Sequence, residues 1–235
     1  MTTEVTEIGD RVYRLSTFVS TAGPAGFTFN QFLIDAEEPL LFHCGQRALF
    51  PSVAEAARSV LDLARLRWIS FSHVEADECG ALELWLAAAP HAQPTHNRLG
   101  CALWLNDISP RPPVARKDGD VLDLGGRRMR WLDTPHLPHN WEAGLLFEEV
   151  TGTFFCSDLF TQIGQTPSTT GDDIVGPAIE TERRMGFMPT TANTAPTLRR
   201  LAALAPRTLA LMHGPAFSGN AAVALEALAE HYSEP

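Results

Sequence analysis

The sequence predicts an α/β protein built as an αββα sandwich. Three observations lead there. Along the chain, strand patterns, helix patterns, strands and helices follow in that order, so each half can supply one sheet with helices on its outer face. At 235 residues the chain can bury a four-layer core. With 45% hydrophobic and 20% charged residues, its composition is that of a globular protein and excludes disordered, collagenous and coiled-coil chains.

The elements follow from local pattern. Residues 11–15 alternate roughly polar and apolar, 27–35 are rich in aromatic and β-branched side chains, and 39–43 follow an acidic turn; each predicts a strand. From Ser52 the period changes. Val53, Ala56, Ala57, Val60, Leu61 and Ala64 recur at helical spacing and Ser52 with Glu55 forms a capping box, so 52–67 is expected to be helical. A strand at 68–72 runs into a polar loop at His73. Helices are expected at 80–89, closed by Pro90, and at 99–106, with a brief strand at 93–96 between them. Two hairpins come next: 120–124 and 128–132 flank Gly125-Gly126, and 145–149 and 153–156 flank Thr151-Gly152. Residues 163–178, rich in Gly, Ser, Thr and Asp, read as a loop. Helix 197–204, strand 208–212 and helix 221–232 complete the pattern. No repeat, low-complexity tract or linker interrupts it, so 1–235 is read as one domain.

Charge narrows the partners. The formal net charge is −10, and Lys117 is the sole lysine. Nucleic acid and anionic membranes need clustered cations, so neither is expected. No basic-then-apolar N-terminal segment and no apolar run approaching 18 residues is present, so neither a signal peptide nor a membrane span is expected. Cys44, Cys79, Cys101 and Cys156 form no CxxC pair and read as reduced, buried thiols of a cytoplasmic protein.

The chemistry concentrates in Ser72-His73-Val74-Glu75-Ala76-Asp77-Glu78-Cys79-Gly80. His73, Glu75, Asp77 and Glu78 are potential metal ligands, and an extended backbone can send positions 73, 75 and 77 to one side. Imidazole beside carboxylates suits iron, manganese or zinc. The bland alternative is a solvated acidic loop. Three further strand ends weigh against it: Thr134-Pro135-His136-Leu137-Pro138-His139, Phe155-Cys156-Ser157-Asp158 and Ala210-Leu211-Met212-His213. A charge or imidazole at a buried strand end needs a partner.

The series His73-x-Glu75-x-Asp77, His136, Asp158, His213 resembles the metallo-β-lactamase superfamily. More narrowly it resembles the flavodiiron and oxygen-binding di-iron branch. Hydrolases of the superfamily usually carry His-x-His-x-Asp-His in the first loop, and here Glu75 and Glu78 stand at the second and third His positions. The resemblance implies a metallo-β-lactamase-type fold and two metal ions. His73, Glu75 and His136 would hold one, Asp77 and His213 the other, and Asp158 would bridge them. Glu78 either ligates or stands behind the ligands. His139 is the other register of its segment, with His136 preferred because Leu137-Pro138 after it fits the family spacing. His43 is a candidate donor to a ligating carboxylate. His91, His96 and His231 read as surface or structural, and Trp141 and Phe160 as core or pocket wall.

The resemblance implies two iron ions, with two zinc or a mixed iron–zinc pair as the alternative, and dioxygen as the small-molecule ligand. Before Pro235 there is no room for a flavodoxin-like domain, no Gly-rich phosphate loop and no rubredoxin-type CxxC. No FMN is therefore expected in this chain, and a separate reductase or signalling partner is. Relatives also suggest a homodimer. The expected function is oxygen sensing or carriage, or reduction with an external donor. The alternatives are a dinuclear zinc hydrolase of esters, thioesters or lactones, in which the metals lower the pKa of an attacking water, and a binding module that has kept the metal shell.

Overall fold

In a computed structural model, residues 1–233 are described; Glu234 and Pro235, the end of the 1–235 span, lie outside them. The first half forms a seven-stranded sheet in simple chain order: β1 (Thr3–Gly9), β2 (Val12–Val19), β3 (Phe27–Ile34), β4 (Leu40–Phe42), β5 (Trp68–Ser70), β6 (Gln93–Asn97) and β7 (Val114–Arg116). The first four pair antiparallel by short turns. From β4 onward the pairing is parallel, because helical crossovers intervene. These are α1 (Phe50–Arg58), α2 (Ala76–Cys79), α3 (Leu82–Ala88), and a segment made of α4 (Arg98–Gly100), a π-turn (Cys101–Leu105) and α5 (Asn106–Ile108).

The second half forms another seven-stranded sheet from β8 (Val121–Asp123), β9 (Arg128–Asp133), β10 (Gly144–Glu148), β11 (Thr153–Ser157), β12 (Thr169–Thr170), β13 (Thr208–Leu211) and β14 (Ala216–Phe217). Its helices are α6 (Val175–Met185), α7 (Thr194–Ala202) and α8 (Ala221–His231). β11 and β13, separated by α6 and α7, pair parallel.

Three apolar layers show how the sheets stack. Phe32, Ile34, Phe42, Met129, Trp131, Leu146 and Phe155 pack between the two sheets. Phe29, Leu33, Val53, Leu82 and Trp85 pack under the helices of the first half, and Leu145, Phe154, Leu198 and Leu225 under those of the second. The predicted αββα sandwich is therefore the observed architecture. Coverage on both faces explains why β3, β10 and β11 are buried along nearly their whole length, polar Thr28, Asn30 and Gln31 of β3 included.

Local boundaries differ from the sequence pattern where turn chemistry overrides the apolar period. The first helix begins at Phe50, because Pro51 fits the first helical turn. Ser52 therefore lies inside that turn and makes no capping box; its hydroxyl pairs with Thr3. The helix stops at Arg58, and a 3₁₀ turn at Leu63–Arg65 follows. Within the predicted 163–178 loop, α6 starts at Val175. Gly176 and Pro177 look like breakers but sit in its first turn, where Asp173 Oδ1 accepts from the backbone N–H of Val175 and Gly176.

Candidate metal centre

Four strand ends deliver the site. His73 follows β5, Asp158 follows β11 and His213 follows β13. His139 comes from the loop between β9 and β10. Within the first loop Glu75 is extended, with φ −145° and ψ 164°. The chain then turns into α2, so Asp77 points from a helical turn rather than from a continuing extended stretch.

Two groups of donors converge. His73 Nε2 stands 3.1 Å from Glu75 Oε2 and 3.4 Å from Asp158 Oδ2. His139 Nε2 stands 2.9 Å from Asp158 Oδ2 and 3.3 Å from Glu75 Oε2. One ligand atom from each of His73, Glu75, His139 and Asp158 lies within 4.8 Å of every other. In the second group, His213 Nε2 stands 3.3 Å from Asp77 Oδ2 and 3.2 Å from Asp158 Oδ1. Asp158 thus turns one oxygen to each group.

His139, not His136, completes the first group, which corrects the register preferred from sequence. Leu137 is 1% exposed and buried in the apolar layer beneath the second sheet. Thr134 fixes this turn, its hydroxyl donating to Leu137 O at 2.7 Å and its carbonyl accepting from Leu137 N–H at 2.8 Å. With Leu137 inward, His136 is left exposed with φ 65°, and the chain comes back to the site at His139.

The ligand-type side chains are held from behind. His213 Nδ1 donates to Thr28 O at 2.8 Å, which leaves Nε2 to face Asp77 and Asp158. His73 Nδ1 lies 3.2 Å from Ser72 Oγ. Neither Glu78 nor His43 joins the cluster. Both are fully buried, and His43 Nδ1 donates to Glu78 Oε2 at 2.5 Å. His96, fully buried, lies with Nε2 3.1 Å from Ser72 O, and burial pushes its pKa down to about 4. It lies in the interior, away from the donor groups. His91 is exposed, His231 half-buried, and Cys44, Cys79, Cys101 and Cys156 are free and buried.

The electrostatics fit a cation pair. Burial pulls His139 and His213 down, but the carboxylates outweigh it. Asp158 then Glu75 raise His139 to about 10, and Asp158 then Asp77 raise His213 to about 10. His139 and then His73 lower Glu75 to about 2. Burial pushes the Asp158 carboxyl up, but His139 and His213 hold it well below the usual carboxylate range. Three imidazoles whose free nitrogens aim at three carboxylates are a donor set that divalent cations satisfy in place of protons.

A pocket of about 110 Å³ opens over the cluster, lined by Phe27, Thr161, Met185 and Phe187 beside Glu75, Asp77, His139, Asp158 and His213. Neither Trp141, which is 62% exposed, nor Phe160, buried in the second core, lines it. Sequence reading missed Thr28 and the pocket wall. Asp173 before α6 and Gly186 after it, at φ 62°, would have signalled the helix that presents Met185 and Phe187.

Fold and cluster together define a metal domain of the metallo-β-lactamase type. The chain belongs to the ODP family beta lactamase, whose family profile matches residues 27–214. It is 26% identical over 196 residues to a putative diflavin flavoprotein A 1 of Nostoc sp. (strain PCC 7120), covering 81% of this chain and 34% of that one. It is 27% identical over 161 residues to the anaerobic nitric oxide reductase flavorubredoxin of Salmonella arizonae, covering 66% of this chain and 33% of that one. The chain therefore spans about a third of these curated relatives. In fold it superposes on the rubredoxin oxygen:oxidoreductase of Desulfovibrio gigas, with a TM-score of 0.83 at 19% identity, covering 98% of this chain and 62% of that one. It also superposes on the flavodiiron core of Flv1 from Synechocystis sp. PCC6803, with a TM-score of 0.85 at 20% identity, covering 98% and 60%.

Proposed function

We propose that this chain is the metal domain of a non-haem di-iron protein that binds a diatomic gas, dioxygen foremost, and reduces it when an external donor supplies electrons. The observation that carries this reading is the placement of Asp158, one oxygen toward each donor group, beneath a small pocket. His73, Glu75 and His139 would hold one ion and Asp77 and His213 the other, with Asp158 shared. A ferrous pair held by these residues would supply reducing electrons to a small molecule in the pocket.

The chain's own residues do the rest. Thr28 O fixes which His213 nitrogen faces the site. Phe27, Met185 and Phe187 give the pocket an apolar wall beside the donors. At about 110 Å³ the pocket accommodates a diatomic molecule.

The relatives named as a flavoprotein and a nitric oxide reductase flavorubredoxin support redox work, and we take a separate electron donor and a homodimer as part of the same proposal. The exposed Leu99, Leu103, Trp104 and Ile108 offer such a dimer an apolar surface. Four free, buried thiols support a reducing, cytoplasmic setting. No helix among the described residues is long and apolar enough to cross a membrane. We take 1–235 as one working domain. The test is to load the protein with ferrous iron without oxygen, admit dioxygen, and follow its uptake and the visible spectrum. Uptake with a new absorption band supports the reading. No uptake, with hydrolysis of a thioester or lactone by the zinc-loaded protein, replaces it.

A further inference from the structure

We infer that Glu78 is a positioning residue rather than a metal ligand, and that its carboxylate sets where His73 and Asp158 stand. The inference rests on the dinuclear reading of the site and deepens it. Glu78 is fully buried and its carboxylate is a polar pin shared by three strand ends. Oε2 accepts the Ser72 backbone N–H at 2.9 Å, one residue before His73. Oε1 accepts the Ser157 hydroxyl at 2.6 Å, one residue before Asp158. Oε2 also accepts His43 Nδ1–H at 2.5 Å, just past β4. His73 Nδ1 itself lies 3.7 Å from Oε1, so the carboxylate also faces the rear of a ligand ring.

Two of these partners need holding. Ser157 and His43 have φ 51° and 68°, a left-handed region that side chains other than glycine enter at a cost. At Ser157 that turn redirects the chain from β11 so that Asp158 enters the site. The hydroxyl bond to Glu78 fixes the turn. Both Glu78 oxygens are engaged in these bonds, and a buried carboxylate so engaged is expensive to withdraw. The second donor group is thus left with Asp77, Asp158 and His213 alone, and it is the more open of the two.

The experiment is a cobalt(II) titration of the full chain against a competing chelator, for the wild type, Glu78→Gln, Ser157→Ala and the double variant, with Tm measured on each metal-free protein. Carboxylate loss behind a ligand is expected to weaken metal binding by about 10- to 100-fold. The cobalt absorption bands should keep their positions, because the ligands are unchanged. Ser157→Ala should weaken binding in the same direction, and the double variant should lose less than the product of the two single losses. A shift of the cobalt bands in Glu78→Gln would make Glu78 a ligand and overturn the inference. So would unchanged affinity, or a loss that only tracks the fall in Tm. A wild type that takes up no cobalt would remove the dinuclear reading itself, whereas wild-type binding with an indifferent Glu78→Gln would remove this inference alone.

Discussion

His139 Nε2 lies 2.9 Å from Asp158 Oδ2. That contact joins a loop of the second sheet to the end of β11, and the other oxygen of the same carboxylate reaches His213. The first group of donors therefore cannot be altered at Asp158 without altering the second.

Asp158→Ala is expected to lower occupancy of both metal positions, because it removes a donor from each group. His139→Ala should deplete chiefly one position. His136→Ala and His91→Ala, both at exposed side chains, should leave metal content unchanged. Metal analysis after dialysis decides this. Full metal in the Asp158 variant would falsify the shared-carboxylate assignment.

Metal affinity is expected to rise steeply with pH across the neutral range. In the metal-free protein His139 and His213 titrate near 10, so below that pH an incoming cation must displace their protons. Calorimetry in buffers of different ionisation enthalpy should show proton release on binding at pH 7. Its absence would mean the imidazoles are already neutral.

The same shifts set the metal-free stability profile. Raised histidines contribute stability that is complete below their unfolded pKa of about 6.5 and lost as pH climbs through about 10. Glu75, lowered to about 2, contributes stability present above about 4.5 and lost toward pH 2. Buried His96, lowered to about 4, contributes stability present above about 6.5 and lost toward pH 4. Metal-free Tm should therefore peak at about pH 6.5, and bound metal should flatten its decline at higher pH. A metal-free Tm that rises from pH 7 to 9 would contradict this.

Phe155 tests the seam between the sheets. It is fully buried, with ring centroids 5.3 Å from Phe32 and 5.6 Å from Phe42. Phe155→Ala should cost about 3–5 kcal/mol, lowering Tm by roughly 10 °C. A denaturant melt showing less than about 1 kcal/mol would mean the sheets do not share this core.

The architecture was legible because apolar runs and helical periods alternate in blocks, and each block became one sheet with its helices. Three candidate ligands were legible for a related reason: His73, Asp158 and His213 sit where buried strands end, and solvated roles are unnatural there. What stayed hidden depended on tertiary packing. The choice between His136 and His139 turns on which way Leu137 buries, and two His three residues apart carry no sign of that. The inward turn of Glu78 depends on Ser157, 79 positions away. Helix α6 was masked by Gly176-Pro177, which break a helix interior but not its first turn.

The central claim is a dinuclear iron centre, and metal stoichiometry tests it most directly. Protein purified without oxygen from cells supplied with both iron and zinc should carry about two irons per chain, and the Asp158→Ala variant close to none. About two zincs per chain, retained when ferrous iron is offered in excess, or no more than one metal of any kind, would contradict it.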